Sequence, residues 1–299
     1  MKSKPTCPLF LLSTIMTRFA KALLFIVSLV ILGFSHALAK SKTDICIMTY
    51  NIRLSADDGV NKWTNRSADN IKMLEYYSPD LIGMQEVRPD QLADLDANLS
   101  SYGHVGAGRD DGKNEGEHCP IFYKKNRFVL IESGNFALSE NPNVYGVKGW
   151  DASYPRIATW AILKDRKTGK KIAYFNTHLD NDGVTARREG IKLVLERAKQ
   201  IAPKLPLLIS GDFNCTDATA PFDILNAAGL KSIYQLSPIV YGPKFSYHDY
   251  GRAKPEELEL LDYVFVSKAF DVKRCRVIQD KPEGHYLSDH YPVIAQIQY

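Results

Sequence analysis

Cysteine, net charge and long apolar runs are all scarce in this sequence, and each scarcity excludes something. Five cysteines stand among 299 residues, none of them in C-x-x-C spacing. That pattern disfavours a zinc ribbon and excludes a disulfide-dense mini-protein. No low-complexity linker and no internal repeat interrupts the chain, and 45% of it is hydrophobic, which excludes disorder and collagen-like architecture. The formal charge is only +4, and it belongs to one end. Residues 1–39 contain Lys2, Lys4, Arg18 and Lys21 and no Asp or Glu, so the remainder holds 34 basic and 34 acidic residues. A charge-neutral remainder argues against holding nucleic acid through a broad basic surface, because that affinity comes from neutralising phosphates.

The apolar run Ala22–Phe34, 13 residues behind Arg18 and Lys21, falls short of the roughly 20 residues a spanning helix needs. It ends in Ala37-Leu38-Ala39, a small-x-small pattern, with no stop-transfer segment after it. Together these predict a signal peptide over 1–39, cut after Ala39, and a periplasmic or secreted mature protein. Met16 is a second candidate start, since Met16–Ala39 alone has the form of a signal peptide. An uncleaved anchor or a buried helix is the competing reading. No cysteine sits at the cut, which disfavours a bacterial lipid anchor. Cys7 would leave with the leader. Cys46, Cys119, Cys215 and Cys275 would remain, open to three pairings or to none.

Residues 40–299 are long enough for one large α/β domain. Strands are predicted at Ile45–Asn51, Asp80–Glu86, Cys119–Tyr123, Phe128–Gly134, Ala158–Lys164, Ile172–Thr177, Leu205–Ser210, Leu260–Ser267, Val272–Ile278 and Pro292–Gln298. Helical spacing marks Trp63–Tyr77, Pro89–Leu99, Arg187–Ile201 and Pro221–Ala228, with Ser78-Pro79 stopping the first.

The polar residues fall in a telling place. Asn51, Glu86, His178, Asp212 and Asn214 stand at or just past the C-terminal ends of predicted strands, where open α/β sheets bind ligands. Asp262 falls within its strand, and Asp289-His290 just precede the last one. Carboxylates, imidazoles and amides without a thiolate suit Mg2+ or Mn2+ rather than zinc. A carboxylate-bound cation beside His and Asn matches phosphoryl chemistry. Each motif alone has an ordinary structural reading: Gly211–Asn214 as an Asx turn, His178 as a core histidine, Gln85-Glu86 as a solvated strand end. Their number and order carry the argument.

In that order the chain resembles the endonuclease/exonuclease/phosphatase superfamily. The matching segments are Met48-Thr-Tyr-Asn-Ile-Arg53, Gly83-Met-Gln-Glu-Val87, Glu117-His-Cys-Pro-Ile-Phe-Tyr123, Pro155-Arg-Ile-Ala-Thr-Trp160, Asn176-Thr-His-Leu-Asp180, Gly211-Asp-Phe-Asn214, Leu261-Asp-Tyr-Val264 and Ser288-Asp-His-Tyr-Pro292. Lys148-Gly-Trp-Asp-Ala152 resembles an exported bacterial branch, near carbon-catabolite-repressor-type deadenylases. The resemblance implies a four-layer α/β sandwich, two mixed sheets face to face with helices outside. It implies a Mg2+- or Mn2+-dependent phosphodiesterase, nuclease-type and 3′–5′ exonuclease-like, with a small exported phosphate ester as the alternative and an inactive binding module as a remote one. The partner it implies is a phosphate-ester substrate, without an obligate protein partner. By the same resemblance, Glu86 would be the principal metal ligand, with Asn51 and Asp289 near the same ion. Asp262 would orient His290; Asp212 and Asn214 would position water or the scissile phosphate. His178 would bind phosphate oxygen, with Glu117 as a partner, and the general base is either Asp212 or His290. Arg156 is a candidate phosphate contact, with a core salt bridge as its other reading. His248 is a candidate substrate contact in a loop expected to overhang the cleft. Asn181 and His285 depart from the family pattern.

Overall fold

The computed structural model describes residues 43–56 and 59–299. The signal peptide predicted over 1–39, its cut after Ala39 and the alternative start lie outside the described residues. Among the described residues thirteen strands form two mixed sheets. The first sheet contains β1 (Asp44–Asn51), β2 (Leu81–Gln85), β3 (Tyr102–Val105), β4 (Ile121–Lys124), β10 (Val240–Tyr241), β12 (Asp271–Val277) and β13 (Val293–Gln298), ordered β10-β12-β13-β1-β2-β4-β3. The second contains β5 (Phe128–Ala137), β6 (Ile157–Asp165), β7 (Lys171–His178), β8 (Leu207–Asp212), β9 (Leu230–Ser232) and β11 (Asp262–Ser267), ordered β5-β6-β7-β8-β11-β9.

Alternation along the strands builds the layers. Ile45, Ile47, Tyr174, Leu208 and Val264 meet between the sheets. Their outward neighbours Phe175, Ile209 and Phe265 pack with Ile191, Val194 and Phe222 of α3 (Val184–Ile201) and α4 (Ala220–Ala227). On the other face Met48, Tyr50 and Ile82 pack with Met73, Leu74 and Leu95 of α1 (Trp63–Tyr77) and α2 (Pro89–Asn98). Central strands are therefore covered on both faces and read as nearly continuous apolar runs. In α3 the buried positions Ala186, Gly190, Ile191, Val194 and Ala198 recur at helical spacing. α1 stops at Ser78, left-handed at φ 45°, because Pro79 bars a further helical turn. Among the described residues no helix is long and apolar enough to cross a membrane.

The topology brings one strand edge together from two directions. β1 and β2 run parallel, as do β7 and β8, so Asn51, Glu86, His178 and Asp212 leave on the same side. β13 is antiparallel to β1 and β11 antiparallel to β8, so the starts of those strands share that side. Asp262 is the first residue of β11, opposite Asp212, rather than an interior residue as its apolar flank Leu260-Leu261 suggested. β3, β9, β10 and the one-turn helix Ile233–Leu236 were not read from the sequence. Each is four residues or fewer, too short to show a period.

Candidate active site

At the shared strand edge the sheets open into a cleft of about 610 Å3. Besides Asp249, three of its residues, Arg53, Glu86 and Asn214, have left-handed backbone, at φ 58°, 61° and 47°. Such strain, of order 1–3 kcal/mol per residue, persists only where surrounding structure enforces it and gathers at functional sites. Here each follows a strand end, and the sharp turn leaves its side chain in the cleft rather than on the sheet face.

A buried polar layer fixes the two sheets against each other directly below. Asn176 on β7 accepts from Gln85 Nε2 on β2 at 2.8 Å and donates through Nδ2 to the Met84 and Pro120 carbonyls at 2.7 and 3.0 Å. Ser210 on β8 donates to the same Asn176 oxygen at 3.0 Å and meets Tyr174 at 2.8 Å. Asn176 and Ser210 stand two residues before His178 and Asp212, on the same strand face. Gly83 leaves the space: a Cβ there would lie 2.6 Å from both Asn176 Oδ1 and the Tyr174 hydroxyl.

In the cleft, Asp212 occupies the centre. Its Oδ2 accepts from Asn51 Nδ2 at 2.9 Å and lies 3.6 Å from His178 Nε2 and 3.7 Å from His290 Nε2. Its Oδ1 accepts from the Asn214 backbone N–H at 2.9 Å. Burial pushes the Asp212 carboxyl up to about 7, against the pull of His290. His290 Nδ1 meets Asp262 Oδ2 at 2.7 Å. Burial disfavours the charged imidazole, but Asp262 and Asp212 together override it and raise His290 to about 10. His178 goes the other way. Burial, helped by the Arg156 and Arg109 guanidinium groups, holds it well below the usual range. Asn214 Nδ2 donates to His178 Nε2 at 2.9 Å and to the Leu179 carbonyl at 2.9 Å, which leaves the neutral imidazole proton on Nδ1.

Two carboxylates that could hold a cation lie beside this centre. Glu86 Oε2 and Asp289 Oδ2 each lie 3.6 Å from Arg53 Nη1, so the two carboxylates converge on one point. Burial and the Glu86 charge raise the Asp289 carboxyl, the signature of two acids lacking enough positive charge between them. This all-oxygen pair fits Mg2+ or Mn2+. Asn51 bridges the two halves, donating to Glu86 Oε1 at 3.0 Å as well as to Asp212, while its own oxygen accepts the Arg53 N–H at 3.1 Å. Asp212, Asp262 and His290 form a second cluster whose ligand atoms lie within 4.8 Å of one another.

Several residues stand apart from their expected partners. Glu117 binds Arg109, Nη1 to Oε2 at 2.7 Å, not His178; burial and Glu86 raise its carboxyl. Arg156 closes a buried salt bridge to Asp180 at 3.2 Å and donates to Asn181 at 2.8 Å, yet lines the cleft. His248 does not overhang the cleft. It is 2% exposed and packed on Tyr291 at 3.9 Å between ring centroids, and its neighbours Tyr247 and Asp249 line the cleft instead. Asp249, Tyr250 and Gly251, all left-handed, follow it, and that turn sends His248 inward. His285 pairs with Asp69 at 3.0 Å, away from the cleft. The sequence reading missed Arg109, Tyr154 and Tyr247. Arg109 had a signal in its glycine-spaced loop: Gly108 allows a close backbone crossing with Glu115, and Gly116 leaves room for the Asp110 side chain. All four described cysteines are free thiols.

Residues 48–290 match the model of the endonuclease/exonuclease/phosphatase family. Among solved structures the chain is similar to an endonuclease/exonuclease/phosphatase from Bacteroides vulgatus, 39% identical with a TM-score of 0.82, over 86% of this chain and 99% of that one. It is similar to a mannosyl-6-phosphatase from Bacteroides thetaiotaomicron, 33% identical with a TM-score of 0.78, over 85% of this chain and 100% of that one. It is also 24% identical to the CCR4-Not complex 3′-5′-exoribonuclease subunit Ccr4 of Yarrowia lipolytica over 79% of this chain, and spans 44% of that relative's length.

Proposed function

The chain belongs to the endonuclease/exonuclease/phosphatase family, and from that premise we propose that it hydrolyses the phosphate ester of a small molecule with the help of a divalent cation. The observation that carries this is Asp212 set between two imidazoles and tied through Asn51 to Glu86.

Glu86 and Asp289 would hold Mg2+ or Mn2+, which supplies neutralisation of phosphate charge and of the developing transition state. We assign the ion to this pair and not to the Asp212–Asp262–His290 cluster because Asp262 and His290 already satisfy each other at 2.7 Å. Asn214 fixes the His178 ring and its tautomer beside Asp212, and the His178 Nδ1 proton is the donor left for a phosphate oxygen. Asp212 Oδ2 orients the attacking water and takes its proton, since a carboxyl raised to about 7 accepts one at neutral pH. His290, kept cationic by Asp262, stabilises the crowded anion and stands ready to protonate the leaving oxygen.

A small substrate is supported by the charge-neutral sequence after residue 39 and by the likeness to a phosphatase over that protein's full length. The likeness to an exoribonuclease supports a second reading, a 3′–5′ exonuclease. The basic, apolar leader with Ala37-Leu38-Ala39 supports export to the periplasm or medium. A panel of hexose phosphates, inositol phosphates, sphingomyelin, single-stranded RNA and DNA, assayed with and without EDTA, tests the whole reading. Turnover that survives EDTA sinks the metal assignment; RNA or DNA as the preferred substrate selects the second reading.

A further inference from the structure

The cleft is polarised along its length. At one end Arg109 and Arg156 flank Tyr154, their guanidinium carbons 5.5 and 5.7 Å from its ring centroid. His178 follows, then Asp212, then His290. At the other end Tyr247 lies 5.1 Å from the His290 ring, with Glu259, Asp249 and Leu261 beyond it. Arg53 is the one basic residue of the cleft lining whose charge reaches Tyr247, and Glu86 and Asp289 already face its Nη1 at 3.6 Å. Asp249 pairs with exposed Arg252 at 2.6 Å, and Glu259 adds a second carboxylate, so this end is acidic where the other is basic.

The cationic end is incompletely paired. Arg156 is 6% exposed, and with Nε on Asp180 and Nη2 on Asn181 its Nη1 is buried without a partner. Arg109 gives Nη1 to Glu117, and its Nε is buried without a hydrogen bond, with Asp110 Oδ1 the near carboxylate at 4.0 Å. His178 Nδ1 is a third such donor. A buried N–H left unmade costs about 1–3 kcal/mol, more on a charged group, so three of them on residues that line one end of the cleft fit an anion. The anion must have oxygens to spare. A diester phosphate offers two non-bridging oxygens and one charge. A monoester offers three and, near neutrality, approaches two charges.

We propose that this cleft selects phosphate monoesters, with the Arg109 and Arg156 guanidinium groups at the basic end matching the oxygen and charge a diester lacks, and with an uncharged leaving alcohol lying toward Tyr247, where a second phosphate would meet Glu259 and Asp249. The proposal rests on the hydrolase reading above and names the substrate class of the same site. The acidic end disfavours a chain of phosphates, whose next charge would fall there. It accepts hydroxyl groups, which donate to carboxylates.

The test uses the full metal-loaded chain with p-nitrophenyl phosphate and bis-p-nitrophenyl phosphate, which share one leaving group. Wild type is expected to favour the monoester at least tenfold in kcat/KM. Arg109→Gln and Arg156→Gln should each erode that preference at least tenfold, mainly through KM. Glu259→Gln should raise turnover of thymidine 3′,5′-bisphosphate relative to thymidine 5′-monophosphate. Because Arg156→Gln strips Asp180 of its partner and can fail to fold, inhibition of wild type provides an independent measure. Inorganic phosphate should compete at least tenfold better than dimethyl phosphate. Equal inhibition, a diester preference, or equal losses on both substrates in the Arg109 variant overturns the proposal while leaving the hydrolase reading intact. Failure to hydrolyse either ester removes the hydrolase reading itself.

Discussion

Two buried charged clusters lie at opposite ends of the second sheet, and they differ in how completely they are paired. At the end away from the cleft, Arg127 grips Asp165 with Nε and Nη2 at 2.9 and 3.1 Å. Tyr299 adds a bond at 3.0 Å, the Lys167 N–H one at 2.8 Å and Thr168 one at 3.1 Å. Against the upward pull of burial, the Arg127 and Lys167 hydrogen bonds hold the Asp165 carboxyl below its usual range. At the cleft end, burial wins over the available partners. The Asp212, Asp289 and Glu117 carboxyls are all raised, and donors on Arg109, Arg156 and His178 have no hydrogen-bond partner. A closed network is architecture; an open one of the same residue types is a receptor waiting for charge.

Breaking each end should therefore have opposite signatures. Asp212→Asn is expected to lower kcat by about 10²–10⁴-fold, the range for a positioned base, without lowering the urea midpoint. A variant that turned over as fast as wild type would end the assignment of Asp212. Asp165→Ala should do the reverse, costing about 3–5 kcal/mol by stranding Arg127 while leaving kcat per folded molecule unchanged. Chemical denaturation with parallel assays separates the two. Saturating Mg2+ at a hundredfold excess over Kd should add about 2.7 kcal/mol of stability, and Glu86→Gln should abolish that gain while His178→Ala retains most of it. Equal thermal shifts in the two variants would remove Glu86 from the ligand set. The smallest effect concerns acid. Hydrogen bonds from the Ser153 and Gly183 N–H groups and the nearby Arg156 overcome burial and lower Asp180 to about 2. A lowered carboxyl stabilises the fold above its unfolded pKa, about 3.9, and that contribution fades as pH falls toward 2. Asp180→Asn should accordingly flatten the loss of urea midpoint between pH 5 and 3 by on the order of 1 kcal/mol.

The two ends were not equally legible in the sequence. Glu86, His178, Asp212, Asn214, Asp289 and His290 were found because strand ends are visible as the places where apolar runs stop, and they do line one cleft. The long strands and four longer helices were visible for the same reason, through their periods. Arg127, Asp165 and Tyr299 gave no such signal, since their pairing across 38 and 134 residues is created by tertiary contact alone. His248 misled because a polar loop flanking an active-site motif looks exposed in sequence, whereas three successive left-handed residues after it reverse the chain. Arg109 lies in a loop whose shape depends on glycine crossings, and no period announces those.

The four free thiols have a practical corollary. Burial pushes Cys46 up to about 11 and Cys119 up to about 12, and raises Cys215 and Cys275 as well. Thiols so reluctant to ionise are slow nucleophiles and poor targets for oxidants. No disulfide joins them, so the fold over the described residues needs no oxidative step to close.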